Sequence, residues 1–148
     1  MFVYEKMNED NVSGMALLEK ENFTDGWSLE SLKEEINNPD ALYMCVRDDE
    51  NGRIIASAGM IISFETADIM NVSVDKEYRR RNIARNLLLK LFEEGRKKGV
   101  TEFTLEVREE NYAARKLYEK LGFSYAGTRP GFYSNPKEDA AIYWLKSN

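Results

Sequence analysis

The residues with chemistry in them are a cluster of arginines, one strand carboxylate and one helix phenol. Arg79, Arg80, Arg81 and Arg85 crowd a short loop between an apolar strand ending in Val72, Ser73 and Val74 and a helix opening near Ile83. The first turn of a helix carries N–H groups without intrahelical partners, and the macrodipole favours negative charge there. Guanidinium groups add fixed charge and paired donors that match phosphate. The stretch from Val72 to Leu88 therefore reads as an anion site, or as a solvated basic run on the surface. Glu106 stands on an alternating segment, sharing a face with Thr104 and Arg108 opposite Phe103, Leu105 and Val107. Read from the strand alone, it is a half-exposed carboxylate paired with Arg108. Tyr118 shares a helical stripe with Ala114, Leu117 and Leu121, which suits a ring packed in the core. Asn111, just before that stripe, reads as a helix cap.

Composition removes several mechanisms. The chain contains no histidine, so Ser-His and Cys-His dyads are impossible and a zinc site would lack its usual nitrogen ligand. A general acid or base must be Glu, Asp, Tyr, Lys, Cys or water, and no metal is expected. The one cysteine, Cys45, lies in the apolar run Leu42 to Val46 and reads as a buried, inert thiol with no disulfide partner. A net charge of −5 and a pI near 5.0 argue against a surface built for direct nucleic-acid binding. An acidic protein with one basic loop suits a polyanion held locally and a cationic substrate elsewhere. The 148 residues, 43% hydrophobic and 32% charged, describe one globular domain over 1–148. No apolar run approaches the roughly 18 residues of a membrane span. The opening MFVYEKMNED lacks the pattern of a signal peptide, so a cytoplasmic protein is expected.

The elements that must position these groups follow from periodicity. Phe2 to Tyr4 suits a short strand, and Asn8 to about Glu19 a helix with Val12, Met15, Leu17 and Leu18 as its apolar residues. Ser28 suits an N-cap before Leu29, Leu32 and Ile36, with Asn38-Pro39 as the stop. Ala41–Arg47 and Arg53–Phe64 flank Asp48-Asp49-Glu50-Asn51-Gly52, a hairpin turn by chemistry. Asp68–Val74 is the next strand. Ile83, Leu87, Leu88, Leu91 and Phe92 keep helical spacing until Arg96-Lys97-Lys98-Gly99 closes the helix. Thr101–Arg108 then alternates as a strand. A helix over Ala114 to Leu121 ends at Gly122, and Phe123–Gly127 and Ala140–Leu145 are final strands joined by a loop over Thr128–Asp139. The order is β-α-α-β-β-β-α-β-α-β-β.

Two motifs carry a resemblance. R-R-R-N-I-A, Arg79 to Ala84, resembles the (Q/R)-x-x-G-x-(G/A) pyrophosphate loop of the GNAT N-acetyltransferase superfamily, with Asn82 where the family has its first glycine. Asparagine is the next most tolerant residue after glycine for a left-handed backbone, so the departure is physically mild. T-L-E-V-R-E-E-N-Y-A-A-R-K-L-Y-E-K-L-G-F, Thr104 to Phe123, is similar to the signature of N-terminal acetyltransferases, and more narrowly to the bacterial ribosomal-protein-alanine group. Asn71-Val72-Ser73-Val74, Arg129…Phe132-Tyr133…Glu138-Asp139-Ala140 and, more loosely, Phe23…Trp27 fit that group too.

The resemblance implies an α/β (α+β) GNAT fold: a mixed, mostly antiparallel sheet of six or seven strands, helices on both faces, and two parallel strands splayed apart. It implies acetyl-CoA as cosubstrate, with Val72, Ser73 and Val74 offering backbone groups to pantetheine and Asn111 its side chain. Arg79, Arg80, Arg81, Asn82, Ile83, Ala84 and Arg85 would clasp the pyrophosphate. A backbone N–H near Val74 would polarise the thioester carbonyl. Glu106 becomes the general base and Tyr118 the acid that protonates the departing thiolate, a phenol of pKa about 10 facing a thiol of about 8.5. Tyr133 becomes a wall of the acceptor site, or else a lid on the core. The implied acceptor is a protein N-terminus, that of a small-subunit ribosomal protein, acted on by a monomer or weak dimer. Deprotonating an α-amine at pH 7 costs only about 1 kcal/mol, against roughly 4–5 for a lysine, which favours the N-terminal substrate. A small amine as acceptor, or an RNA- or ribosome-binding module using the arginines, are the competing readings.

Overall fold

The chain runs β1 (Phe2–Lys6), α1 (Val12–Asn22), α2 (Leu29–Ile36), β2 (Ala41–Asp48), β3 (Ile54–Ser63) and β4 (Thr66–Val74). A 3-10 turn at Lys76–Tyr78 leads to α3 (Ile83–Lys97), β5 (Glu102–Arg108), α4 (Tyr112–Lys120), β6 (Ser124–Tyr133) and β7 (Glu138–Lys146). This computed structural model describes residues 1–23 and 26–146, so Thr24 and Asp25 within Phe23…Trp27 lie outside it. Seven strands form one sheet in the order β1-β2-β3-β4-β5-β7-β6. Every neighbouring pair is antiparallel except β4 with β5.

The helices cover both faces. On one, α1 and α2 send Val12, Met15 and Leu32 onto Tyr43 and Cys45. On the other, α3 buries Ile83, Leu87, Leu88, Leu91 and Phe92 against Leu42, Met44, Met60 and Phe103. Each fully buried side chain of that size stabilises by about 1.5–3 kcal/mol, so the α3 stripe is a main source of cohesion. Gly95 permits the close approach: a Cβ there would stand 2.9 Å from Met60 Cε and 3.1 Å from Phe103 Cε1. Cys45 is fully buried, and burial pushes its thiol up to about 12, which keeps it inert. Among the described residues no helix is long and apolar enough to cross a membrane, and no group of His, Cys, Asp and Glu gathers as a metal site.

Three sequence expectations need correction. The first helix starts at Val12 rather than Asn8, because Asn8 and Asn11 fold back on each other: the Asn8 N–H donates to Asn11 Oδ1 at 2.8 Å and the Asn11 N–H to Asn8 Oδ1 at 3.0 Å. Such local side-chain bonds compete with helix. Leu17, counted in its apolar stripe, is 58% exposed, and Leu29 of the second helix is also exposed. The loop expected over Thr128–Asp139 is mostly strand: β6 continues to Tyr133, and only a short turn separates it from β7. Register shifts between Tyr125 and Gly127 and between Arg129 and Tyr133 hide the strand's alternation from a sequence reading.

Candidate active site

The site is built around a fork in the sheet. β4 and β5 pair only at Thr66 with Glu102, Ala67 with Phe103 and Asp68 with Thr104. The Thr104 hydroxyl bonds the Asp68 carboxylate at the last rung. Beyond it, Ile69–Val74 pair with β3 alone, while Leu105–Arg108 pair with β7. Two parallel edges with unpaired backbone groups thus face each other across a wedge, an arrangement that can accept an extended ligand as an added strand.

One arm of the fork is bent. The β3–β4 register jumps between Gly59 opposite Met70 and Ser57 opposite Ser73, and Asn71 there has φ +54°. This is a bulge with a left-handed residue, a common way of re-aiming a strand edge. From α1, Asn22 bonds the Ser73 hydroxyl and donates to the Val74 carbonyl at 3.2 Å, bracing the bent arm. Asn22 escaped the sequence reading because nothing local marks it. Asn71 left one signal, a lone asparagine inside an apolar strand.

Past Val74 the chain enters the arginine loop. Asp75 caps the 3-10 turn by accepting from the Glu77 N–H at 2.9 Å and pairs with Arg53 at 2.8 Å. Tyr78 is buried, donates to Asp48 at 2.7 Å and accepts from Asn51 at 3.0 Å, tying the loop to the β2–β3 turn. The Tyr78 hydroxyl beside Asp48 holds that carboxyl below the usual carboxylate range. Of the four arginines, Arg79 donates to the Val74 carbonyl at 3.1 Å and Arg81 lies over the Tyr78 ring at 5.4 Å. Arg80 and Arg85 are exposed. Asn82 is the N-cap of α3 with φ +59° and ψ +18°, and its side chain makes no cap bond. The residue replacing glycine is thus in the conformation glycine serves, and its side chain leaves the first N–H groups of α3 uncapped.

On the other arm, Glu106 is half-buried, and the sequence alternative of a Glu106–Arg108 pair is not what forms. Arg108 pairs with Glu138 at 3.2 Å and donates to the carbonyls of Ser134 and Pro136. Its guanidinium covers the Tyr133 ring. Tyr133 ends β6 instead of riding a long loop, and the Glu138 carboxylate also receives the Glu110 N–H at 2.9 Å. The β6–β7 turn is therefore strapped to the β5–α4 corner. Asn111 caps α4, accepting from the Ala114 N–H at 3.2 Å. Arg115 donates to the Tyr143 hydroxyl at 2.9 Å and the Glu109 carbonyl at 2.7 Å, fixing α4 on β7.

That fixing sets Tyr118, which is 6% exposed and packed edge-on to Phe123. Desolvation and, secondarily, the nearby Tyr133 push its phenol upward, so it stays protonated. Tyr133 is pushed up to about 12 by burial first and by the Glu106 charge second. Glu106 on β5 thus acts on Tyr133 at the end of β6, and Tyr133 in turn on Tyr118 of α4.

Comparison with known proteins converges on one family. The model of the acetyltransferase (GNAT) family matches residues 12–123. An Escherichia coli ribosomal protein bS18-alanine N-acetyltransferase is 37% identical over 117 residues, 78% of this chain and 79% of its own. The crystal structure of the Escherichia coli ribosomal-protein-S18-alanine N-acetyltransferase superposes with a TM-score of 0.88 at 30% identity, covering 100% of this chain and 96% of that one. Arabidopsis thaliana NAA60 in complex with acetyl-CoA, at 16% identity and TM-score 0.86 over 99% of this chain and 98% of its own, shares the fold.

Proposed function

The chain belongs to the acetyltransferase (GNAT) family, and on that footing we propose that it transfers acetyl from acetyl-CoA to the N-terminal α-amine of a protein, the alanine of a ribosomal protein bS18. The observation that carries this reading is the fork: β4 and β5 part after Asp68 and Thr104, the β4 arm running on to the arginine loop before α3 and the β5 arm carrying Glu106. The relatives named for the bS18 alanine supply the acceptor.

The residues fit an acyl-CoA. The left-handed Asn82 leaves the first N–H groups of α3 unobstructed, and Arg80 and Arg85 add charge for a diphosphate. Val72, Ser73 and Val74 present edge backbone groups to the pantetheine arm, and an N–H near Val74 polarises the thioester carbonyl. Asn111 spends its carbonyl oxygen on the α4 cap, which leaves its amide N–H for the same arm.

Glu106 takes a proton from the acceptor ammonium, directly or through water, and the amine nitrogen attacks the thioester carbon. The carbon–sulfur bond breaks, Tyr118 donates its proton to the sulfur as it leaves, and the second proton of the acylated nitrogen passes through water to restore the Tyr118 phenol, leaving a neutral amide. Burial suits Tyr118 to this task because its phenol keeps the proton until a thiolate forms beside it. Tyr133, steadied by Arg108, lines the path of the acceptor.

Acetyl transfer to short peptides with alanine and other N-terminal residues tests the reading, with lysine-only peptides and polyamines as controls. Transfer to α-amines and not to the controls is expected. Preference for a small amine would sink the protein-substrate assignment, and absence of a thermal shift with saturating acetyl-CoA would sink the cosubstrate.

A further inference from the structure

Asn71 has a feature that the bulge alone does not require. Its side-chain Nδ2 is buried and has no hydrogen-bond partner. A buried donor left unmade is costly, and in a functional fork it marks a place where a ligand completes the bond. The backbone explains why an asparagine is tolerated at φ +54°, but glycine would serve that conformation as well. The amide itself needs another account.

Position supplies it. Asp68 pairs with Thr104 at the last rung of the fork. Counting forward along both parallel arms from that rung, Met70 and Asn71 come level with Glu106 and Val107. Asn71 thus lies on the arm that parts from β5, one residue past the level of the carboxylate that receives the acceptor's proton. The next turn of the same arm is held by Asn22 through Ser73 and Val74, so the bent segment is fixed in place. Fixed donors aimed at developing charge are the most effective electrostatic device an acyl-transfer site has.

We propose that the Asn71 side-chain amide donates a hydrogen bond to the acyl oxygen during transfer, as a catalytic residue beside the backbone N–H near Val74. This rests on the acetyltransferase reading above. As the amine nitrogen bonds to the acyl carbon, the carbonyl π electrons move onto oxygen, where the Nδ2–H bond meets the charge. They return to the carbonyl as the carbon–sulfur bond breaks; the sulfur leaves with the electron pair of that broken bond and takes the Tyr118 proton, and the acylated nitrogen gives up its second proton through water to the Tyr118 oxygen. Asn71 gains and loses no atom in the step.

The test compares Asn71→Gly with Asn71→Asp, using steady-state kinetics with acetyl-CoA and an alanine-first peptide, and thermal melting of each variant. Glycine keeps the left-handed backbone and removes the amide. Aspartate keeps shape and local backbone bonding but replaces the donor with a second acceptor. Both are expected to lower kcat roughly 100-fold, with the acetyl-CoA KM and the melting temperature of Asn71→Gly close to the parent's. An Asn71→Gly enzyme with parental kcat overturns the proposal and leaves Asn71 a backbone device. So does a variant whose defect lies wholly in the peptide KM, which would move the amide to acceptor binding. If the parent protein transfers acetyl to no amine at all, the acetyltransferase reading fails first and this inference falls with it.

Discussion

Arg108 lies flat over Tyr133, its guanidinium carbon 4.5 Å from the ring centroid, while the same fork donates to two carbonyls of the β6–β7 turn and to Glu138. A side chain two positions from Glu106 thereby holds Tyr133, the residue proposed to line the acceptor's path, together with the β6–β7 turn. Lysine keeps the charge but loses the planar fork, so it cannot stack and serve three acceptors together. Arg108→Lys is expected to raise the KM for an acceptor peptide about tenfold, equivalent to roughly 1.4 kcal/mol, with the acetyl-CoA KM within a factor of about two. Kinetics with each substrate varied in turn decides it. Equal damage to both constants would make Arg108 a general structural prop.

The two residues proposed to move protons separate by their surroundings. Tyr118→Phe keeps the ring that packs on Phe123 and Tyr143 and removes only the hydroxyl, so the fold should melt as before. Glu106→Gln keeps size on a half-buried strand position. Each is expected to lower kcat by about 100-fold or more while acetyl-CoA binding persists. Were both to keep kcat/KM within a factor of about two, the acid–base scheme would be wrong.

Much of this architecture was legible before any coordinates. Strong periodicity made α3 readable to its caps, since Ile83, Leu87, Leu88, Leu91 and Phe92 repeat at helical spacing and Gly99 follows with φ +91°. Ser28 announced α2 by capping chemistry, and it accepts from the Ser31 N–H at 3.1 Å. What failed was local chemistry overruled by distant contacts. Gly127 looked like the end of a strand, yet β7 pairs with β6 across both bulges. Tyr133 was mislaid for the same reason. Arg108 looked like a partner for Glu106 because they share a strand face, but the turn brings Glu138 closer, which no spacing within one strand could reveal. Asn22 and Asn71 matter only through the three-dimensional meeting of α1 with the bent arm of β4.

Asn82 is the departure from the family loop, and its φ of +59° makes a sharp expectation. Glycine there meets no steric penalty, so Asn82→Gly should bind acetyl-CoA as tightly or more tightly. A β-branched residue is strained in the left-handed region by about 1–2 kcal/mol and should push the loop off its path. Asn82→Val is therefore expected to weaken acetyl-CoA binding about tenfold or more by calorimetric titration. A large loss on Asn82→Gly instead would mean that the asparagine amide, and not its backbone, serves the cosubstrate.

Glu19 yields a prediction about stability rather than rate. It is 2% exposed on α1, and its Oε2 has no hydrogen-bond partner. Burial, the dominant cause, raises its carboxyl from 4.5 to about 7, against a smaller lowering by the Trp27 N–H. A folded-state pKa above the unfolded one means the folded protein holds this proton more tightly. Its contribution is thus intact below pH 4.5, declines as pH climbs toward about 7, and is fully lost above that. Glu19→Gln keeps an acceptor for the Trp27 N–H and removes the titration. The variant should match the parent near pH 4.5 and exceed it above pH 7 by up to roughly 3 kcal/mol, several degrees in a melt of a domain this size. Thermal melts of both proteins at pH 4.5 and pH 8 measure the difference. A variant that melts lower by the same margin at both values would show that the carboxyl is held charged by a partner and not merely buried.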